Sequence, residues 1–562
     1  MNIPNKLKSL LNKREKFIKC LVKNGYSCVF MYEMLAALSV ILILIYLIYG
    51  VWNAYRHEQS IEDLWIANRK LSGPIVFFSM AASALGAGMF ILTAGWGYTT
   101  GYNYTISTYL SWPIGTIIGV LLFTGKWKDL NLFVTPDPIT MRFGRIVGAV
   151  AGFLVIIGGA AWAASNLVII GRTLSVFFGA IPFWAIIVSI GIVILIYTLA
   201  GGMWSVAHTD MLQTFTFTAG AIALIGGLTW YTGFSPFNLG GEVAAWKLNW
   251  WPADMSWSLW SFNMLFIGIT TGASTTVALS RIAAAKSKMT SYIYNTLSNV
   301  FVIVLLLVMA VIGLQSAIAV PGLEVIPEHI MAEVSVALYG EKTMGTLIAI
   351  GVAAFAACAL STSDSLSLST ATMFTKNYIH EFWPHFDRKQ IRRVFRGFVV
   401  VFIALIVGLA LLCPFVIQLW FVAGGYGTTP IFFLLIVALF WEKINRYGAA
   451  AFLSTYLPLY MILDKYLLLT MKLPLSAIIA FVVSVVMMIV FSYLTQERDP
   501  PQPLRKLSEK AEPIGAPRKL PTREEREKQA VQEEYKPYVV LVIFVLLWVG
   551  AFALAIWHAH GG

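Results

Sequence analysis

The chain has 562 residues, of which 58% are hydrophobic, 14% aromatic and 12% charged, and its mean hydropathy is +0.75. A water-soluble domain cannot carry this composition, and apolar runs without alternation exclude a β-barrel, so the sequence predicts an all-α polytopic membrane protein. The net charge is +12, and most of the basic residues lie in short loops between apolar segments. Basic residues in such loops set the orientation of membrane helices, so the positive charge gives no reason to expect a nucleic-acid partner.

About 14 apolar segments are long enough to cross the lipid bilayer as helices. In chain order they lie near 33–53, 73–95, 103–123, 144–171, 182–200, 208–232, 257–280, 290–318, 343–374, 397–413, 415–441, 447–466, 472–495 and 537–558. Basic residues accumulate in alternate loops, among them the loop that carries Arg281. This alternation predicts a multi-pass protein of the plasma or inner membrane with its N-terminus outside.

Residues 1–32 conflict with this topology, because they carry seven Lys and Arg residues but would lie outside. Two explanations remain open: an interfacial basic helix, or a natural start at Met31 or Met34. The Pro-rich and charged segment 496–536 predicts a solvated cytoplasmic linker. Four scattered cysteines, Cys20, Cys28, Cys358 and Cys413, indicate neither a disulfide framework nor a metal site.

The helix predicted near 73–95 contains a stretch of small residues from Ala81 to Gly88. Small residues allow close packing between membrane helices, and in transporters they also mark places where a helix unwinds at the bilayer midplane. Unwinding would free backbone carbonyls for a cation. Both interpretations remain open from this segment alone.

The helix predicted near 343–374 places four hydroxyls and one carboxylate in the five residues Ser361 to Ser365. Polar groups inside the membrane are costly unless they have partners or a function. Hydroxyls can bond to the preceding helical turn, but this does not explain Asp364. The hydroxyls of Ser361 and Thr362, with the Cys358 carbonyl one turn back, predict half of a Na⁺ site.

A second acid, Asp210, opens the predicted helix 208–232. A carboxylate near a helix N-terminus is favoured by the helix dipole. A structural role and an ion-binding role for Asp210 therefore both remain open.

Several motifs, in the right order, resemble the sodium:solute symporter family, which includes the sodium/glucose, sodium/proline and sodium/pantothenate carriers. They are Tyr197-Thr198, Gly201-Gly202, Thr209-Asp210 with Gln213, Arg281 to Ser287, Ser361-Thr362 with Asp364-Ser365, and Phe440 to Ala449. The resemblance implies a LeuT-like core of two inverted repeats of five helices, 73–232 and 257–441. One extra helix would precede the core at 33–53, and peripheral helices at 447–495 and a final helix at 537–558 would follow it.

The resemblance also implies functional residues. A primary Na⁺ site would use the carbonyls of Ala82, Leu85 and Cys358 with the hydroxyls of Ser361 and Thr362. A second cation or proton site would use Asp210, Ser361, Asp364 and Ser365, although Asp364 stands where family members with this site have Ser. The solute would lie near Gly86, Asn166, Trp260, Asn263, Gly424 and Gly425, and no organic cofactor is implied.

These features predict sodium-coupled symport of a small polar organic solute into the cell by alternating access, by a protein that can act as a single subunit. No nucleophile–base pair, metal cluster or P-loop indicates an enzyme. Proton coupling in the same fold, and a membrane sensor acting with a partner protein, remain alternatives. The sequence around Ala278 to Arg281 lacks the Gln of the sugar carriers, and Ala84 replaces the acid of the proline carriers, so the solute is unassigned.

Overall fold

The computed structural model describes residues 41–501 except 43, 54, 57–59, 179–180, 324–325, 339–341, 383–385 and 467–474. In this part of the chain the structure is helical, and strand-like pairing is limited to the isolated bridges Leu71–Ala285 and Gly240–Val243. The all-α fold class is confirmed. The predictions for 1–32, for most of the linker 496–536 and for the final helix 537–558 concern residues outside the described part.

The helices are numbered in chain order. The first half of the chain forms α1 (Leu44–Asn53), α2 (Ile61–Ile66), α3 (Gly73–Ala84), α4 (Ala87–Thr100), α5 (Tyr102–Asp129), α6 (Asp137–Phe143), α7 (Arg145–Phe177), α8 (Phe183–Ala200) and α9 (Met203–Thr232). The second half forms α10 (Met255–Ser274), α11 (Thr276–Ala284), α12 (Lys288–Ala319), α13 (Pro327–Leu338), α14 (Lys342–Phe374), α15 (Arg388–Leu412), α16 (Val416–Phe440), α17 (Arg446–Tyr466) and α18 (Ser476–Leu494).

Every predicted segment from 73–95 to 472–495 overlaps one of these helices. The sequence pattern misses α2, α6 and α13, which have 6, 7 and 12 residues. These helices are too short to cross a bilayer, so a search for spanning segments cannot find them.

Within the described residues, eight helices are long and apolar enough to cross a membrane, or nine when α3 and α4 count as one bent span. The buried fraction of each helix distinguishes central from peripheral helices. The most apolar window of α7 is 78% buried inside the protein, whereas that of α18 is 28% buried. The helix α7 therefore lies inside the bundle, and α18 presents an apolar face to lipid.

The first core helix is interrupted, as one interpretation of its small residues predicts. The helix α3 ends at Ala84, Leu85 turns the chain out of the helix with φ −88° and ψ 73°, and α4 starts after Gly86 at an angle of 57° to α3. A side chain at Gly86 would place its Cβ 2.6 Å from the side-chain oxygen of Asn166. A larger residue here would therefore displace the Asn166 side chain of α7.

A second interruption separates α10 from α11 at Thr275, whose backbone is extended with φ −60° and ψ 133°. The two predicted repeats, 73–232 and 257–441, thus each begin with an interrupted helix. Discontinuous helices in corresponding positions are what an inverted-repeat transporter needs around its binding site. The division into these two repeats itself stays a prediction.

Candidate cation and solute sites

The break between α3 and α4 leaves carbonyl oxygens without helical donors. The N–H of Leu85 bonds to Ala81 at 3.0 Å, and the remaining carbonyls of the last turn, including those of Ala82 and Leu85, have no donor in their own helix. The hydroxyl of Thr362 on α14 lies 3.5 Å from the carbonyl oxygens of both Ala82 and Ser83. Hard oxygen atoms from both helices therefore converge at the break.

Ser361 lies beside Thr362 but faces a different partner. Its hydroxyl donates to Asp210 Oδ1 at 2.5 Å, and the side chains of both residues are buried. Cys358, one turn earlier on α14, is also fully buried. Ser361 thus links the predicted primary Na⁺ site to the predicted second site.

Asp210 lies well inside α9, which corrects the predicted helix start. The helix begins at Met203, two turns before Asp210, so the N-terminal dipole does not explain the carboxylate. Instead, Asp210 Oδ2 accepts hydrogen bonds from Ser79 at 2.7 Å and Ser83 at 3.4 Å on α3, and forms an ion pair at 3.2 Å with Arg281 on α11.

The charge alternation places Arg281 in a loop, but in the structure Arg281 lies on α11 and its side chain is fully buried. Its Nη2 donates to Ser83 at 2.8 Å, to Ser365 at 2.6 Å and to Asp210 at 3.2 Å. Its Nε donates to Ser79 at 3.2 Å. The guanidinium therefore joins α3, α9, α11 and α14, and it contacts Asp210 and Ser365 of the four residues predicted for a second cation.

Asp364 is the other carboxylate of this region and is 1% exposed. Its Oδ1 has no well-formed hydrogen bond among the described residues, although Thr198, Asp210 and Arg281 are close enough to interact with the carboxyl group. A buried carboxylate oxygen without a partner is costly unless an ion or a proton compensates it.

A partly open cavity lies between α4, α5, α7, α10 and α16. Seven of its 15 lining residues are aromatic, and none of the lining residues is charged. The aromatic members are Tyr104, Tyr109, Trp112, Trp162, Trp260, Trp420 and Phe421. A mainly apolar pocket with few polar groups is the usual form of a small-molecule site.

The aromatic rings hold one another in place. Tyr104 stacks on Trp260 with their centroids 4.8 Å apart, and Tyr109 meets Trp420 edge-on at 5.5 Å. The Trp420 indole N–H is fixed by a hydrogen bond to Ser165 at 3.0 Å. These contacts preorganise the lining, so little order is lost when a ligand enters.

Three polar atoms of the lining are available to a ligand, and one of them is the Thr108 hydroxyl. The hydroxyl of Tyr109 and the indole N–H of Trp112 are buried and have no hydrogen-bond partner within the described part of the chain. Buried donors of this kind normally find a partner. They suit an oxygen atom of a bound solute.

Of the residues predicted for the solute site, Trp260 and Gly424 line this cavity. Asn166 Oδ1 instead accepts from the Gly88 N–H at 2.9 Å, behind Gly86, and a Cβ at Gly425 would lie 2.4 Å from the Tyr460 hydroxyl. Asn263 is buried on α10 outside the lining.

Sequence reasoning missed most aromatic residues of the cavity and the serines Ser79 and Ser83. The two serines are four residues apart and therefore share one face of α3. This spacing could have predicted a polar face that contacts a buried acid on another helix. For the aromatic residues no comparable signal exists, because aromatic side chains are frequent throughout this chain.

Comparison with known proteins gives three kinds of match. A model of the sodium:solute symporter family matches residues 64–455. The human high affinity choline transporter 1 is 26% identical over 447 residues, which cover 75% of this chain and 74% of that protein. A sodium/glucose cotransporter of Vibrio parahaemolyticus is 24% identical over 469 residues, covering 73% of this chain and 83% of that protein.

Among solved structures, a substrate-bound, outward-open Na⁺-coupled sialic acid symporter superposes with a TM-score of 0.69. It is 17% identical, and the match covers 83% of this chain and 98% of that one. At this identity the likeness establishes the fold, and it confirms the predicted LeuT-like architecture.

Proposed function

The chain belongs to the sodium:solute symporter family, and we propose that it imports a small quaternary ammonium solute, such as choline, together with Na⁺. The observation that carries this proposal is the aromatic cavity without charged lining. Membership of the family supports secondary symport in a membrane; the identity of the solute and of the coupling ion is the proposed step.

Quaternary ammonium groups bind to aromatic faces through cation–π attraction, which contributes about 0.5–1 kcal/mol at exposed sites and about 2 kcal/mol or more where water is excluded. A trimethylammonium group cannot donate hydrogen bonds, so it needs no polar partners. The rings of Tyr104, Trp260 and Trp420 can surround such a group, while Tyr109 and Trp112 offer donors to a hydroxyl of the same molecule.

The lining also disfavours other solutes of the family. A sugar brings many hydroxyls that need partners, and this cavity offers few. A zwitterion or an anion brings a carboxylate that would lose water without meeting a cation. The choline transporters among the relatives agree with this chemistry better than the sodium/glucose cotransporter does.

The proposed Na⁺ site lies at the break after α3, with Ala82 and Leu85 carbonyls on one side and the Cys358 carbonyl and the hydroxyls of Ser361 and Thr362 on the other. The convergence of Thr362 on the free carbonyls of α3 supports it. An ion held between two helices stabilises the conformation in which they are close, so Na⁺ binding shifts the equilibrium toward that conformation.

Import of Na⁺ with a monovalent cation moves two charges inward. Each charge gains about 2.3 kcal/mol per 100 mV, so both together can support roughly 2,000-fold accumulation at that potential. This is sufficient to take up a dilute nutrient. We further propose the cell membrane as the location, with residue 1 outside, 496–536 in the cytoplasm and a single subunit as the working unit.

Proton coupling is the second candidate, and the unpartnered oxygen of Asp364 favours it. In this case a proton on the carboxyl would compensate its burial during the transport cycle. Uptake would then follow a pH gradient and would be insensitive to replacement of Na⁺.

The test is uptake of radiolabelled choline by the purified protein in proteoliposomes, driven by an inward Na⁺ gradient, with K⁺ at matched ionic strength as the control. We expect accumulation only with Na⁺. We also expect Thr362→Ala to raise the Na⁺ concentration for half-maximal uptake roughly tenfold through loss of one ligand. The matched control is Ser367→Ala on the same helix, since the Ser367 hydroxyl only bonds back to Ser363 at 2.7 Å.

Equal uptake in Na⁺ and K⁺ at every pH would refute symport with Na⁺. Uptake of glucose or proline without uptake of choline would refute the proposed solute class but leave the sodium site intact. An identical response of Thr362→Ala and Ser367→Ala would move the ion away from the break in α3.

A further inference from the structure

One wall of the aromatic cavity belongs to α16, and part of its backbone departs from the α-helix. Residues Val422–Thr428 form a π-helical segment, and Gly424, Gly425 and Gly427 are among its seven residues. π-Helical winding is rare and often occurs at functional sites, and glycine weakens a helix. This segment is therefore a soft part of α16, and it contains the cavity-lining residue Gly424.

We infer that Tyr456 of α17 is a positioning residue for this wall. It holds the π-helical segment of α16, and through it the Trp420 ring, in the conformation that binds the solute. The inference rests on the proposed function, because the expected effect is on the affinity for the solute. It gives a role in solute binding to α17, which lies outside the two predicted repeats.

The Tyr456 side chain is fully buried, and its hydroxyl donates to the Gly425 carbonyl at 2.9 Å. Pro430 has no N–H, so it cannot donate to the carbonyls four and five residues before it, which are those of Tyr426 and Gly425. The Tyr456 hydroxyl thus supplies a donor where α16 offers fewer donors than a regular helix. The Thr429 side chain is also close enough to interact with this hydroxyl.

The packing around Gly425 shows which way this residue faces. A Cβ at Gly425 would lie 2.4 Å from the Tyr460 hydroxyl and 2.6 Å from atoms of the Tyr460 ring. The last residue of the segment, Thr428, donates its hydroxyl to the Thr271 hydroxyl on α10 at 3.0 Å. Gly425, which the family resemblance places near the solute, therefore faces α17 and acts on the cavity indirectly.

The segment held by Tyr456 is continuous with the part of α16 that carries the aromatic rings. The cavity-lining residues of this helix are Ile417, Trp420, Phe421 and Gly424. The Trp420 ring meets Tyr109 edge-on at 5.5 Å across the cavity. A change of the backbone at Gly425 alters the direction of the helix that carries Trp420. Binding then requires the segment to return to its original conformation, and this requirement lowers the apparent affinity.

The experiment measures the dissociation constant of choline at saturating Na⁺ for the purified full-length protein. Tyr456→Phe removes only the hydroxyl, and the loss of one hydrogen bond between neutral groups corresponds to a roughly 2–10-fold change in an equilibrium constant. We expect choline binding to weaken by this factor, and the Na⁺ concentration for half-maximal thermal stabilisation without solute to stay the same. The matched control is Tyr447→Phe, which makes the same change on α17 at a ring that is 37% exposed and outside the cavity lining.

A double-mutant cycle tests whether Tyr456 acts through the wall of the cavity. Two residues that act through each other have effects that do not add, whereas independent effects add. In a Trp420→Ala background, Tyr456→Phe should therefore change the affinity for choline by less than about twofold. If the full loss persisted in that background, Tyr456 would act independently of Trp420 and the inference would be overturned.

A second variant covers the case in which Tyr456→Phe does not fold. Gly425→Ala forces the segment away from Tyr460, and we expect it to weaken choline binding at least about twofold although Gly425 is outside the lining. Unchanged choline binding in folded Tyr456→Phe, or in folded Gly425→Ala, would refute the positioning role while leaving symport intact. A natural protein that binds no choline in the presence of Na⁺ would refute the proposed function, and with it this inference.

Discussion

Replacement of Trp260 by Ala is the sharpest test of cation recognition in the aromatic cavity. Trp260 lies on α10, lines the cavity and stacks on Tyr104 at 4.8 Å. The substitution removes one aromatic ring from the lining, and with it both the cation–π attraction of that ring and its contact area with the ligand. The two effects must be separated, because loss of contact area weakens any ligand, whereas loss of cation–π attraction weakens only a cation.

The magnitude follows from the surroundings of the ring. Trp260 is half-buried, so the cation–π attraction of its ring lies between the exposed and the water-excluded limits, at about 1–2 kcal/mol, which corresponds to a roughly 5–30-fold change in affinity. We therefore expect Trp260→Ala to reduce choline binding by at least this factor. Trp260→Phe keeps a smaller aromatic face and the contact with Tyr104, and we expect a loss of about 2–5-fold.

The assay compares choline with its neutral carbon isostere, in which a tert-butyl group replaces the trimethylammonium group. Both ligands displace radiolabelled choline from the purified protein at saturating Na⁺. The two molecules have the same shape, so the ratio of their affinities cancels the loss of contact area. In Trp260→Ala we expect this ratio to fall by about 5–30-fold in favour of the isostere.

The control is Trp184→Ala on α8, where the indole is 61% exposed on the outer surface and contributes nothing to the cavity. It should leave both affinities unchanged. If Trp260→Ala weakened choline and the isostere by the same factor, the cavity would bind its ligand through contact area alone. The argument for a quaternary ammonium solute would then fail.

Two further predictions concern stability in detergent. Asp210→Ala should reduce the free energy of unfolding by about 3–5 kcal/mol, because it leaves the Arg281 charge buried without its partner. The double variant Asp210→Ala/Arg281→Met should recover most of this loss. Equal stability of the single and the double variant in thermal unfolding would contradict a stabilising ion pair. Gly86→Ala should reduce the free energy of unfolding by about 1–3 kcal/mol, because its Cβ would press on the Asn166 oxygen that accepts the hydrogen bond of the Gly88 N–H. The control is Gly226→Ala, where a Cβ would meet nothing within 4 Å. It should increase the free energy of unfolding by up to about 1 kcal/mol in the same measurement.

Local composition was enough to predict the class of the protein and to single out two segments of the candidate site. A membrane helix needs a continuous apolar stretch of a set length, so the helices could be predicted from local composition. The small residues around Gly86 and the hydroxyls of Ser361 and Thr362 also stood out locally, because polar or helix-weakening residues are costly in a spanning helix. The structure brings these two segments together at the break after α3.

The contacts of Arg281 and the composition of the cavity become visible when the helices are packed together. In the sequence Arg281 resembles any other cation at the end of an apolar segment, and its burial depends on Asp210, Ser83 and Ser365 from three other helices. The aromatic lining likewise comes from four helices, and no local pattern states which helix faces will meet. Length and hydropathy are properties of a single helix. A binding site depends on how several helices are rotated relative to one another, and the packing between the helices sets this rotation.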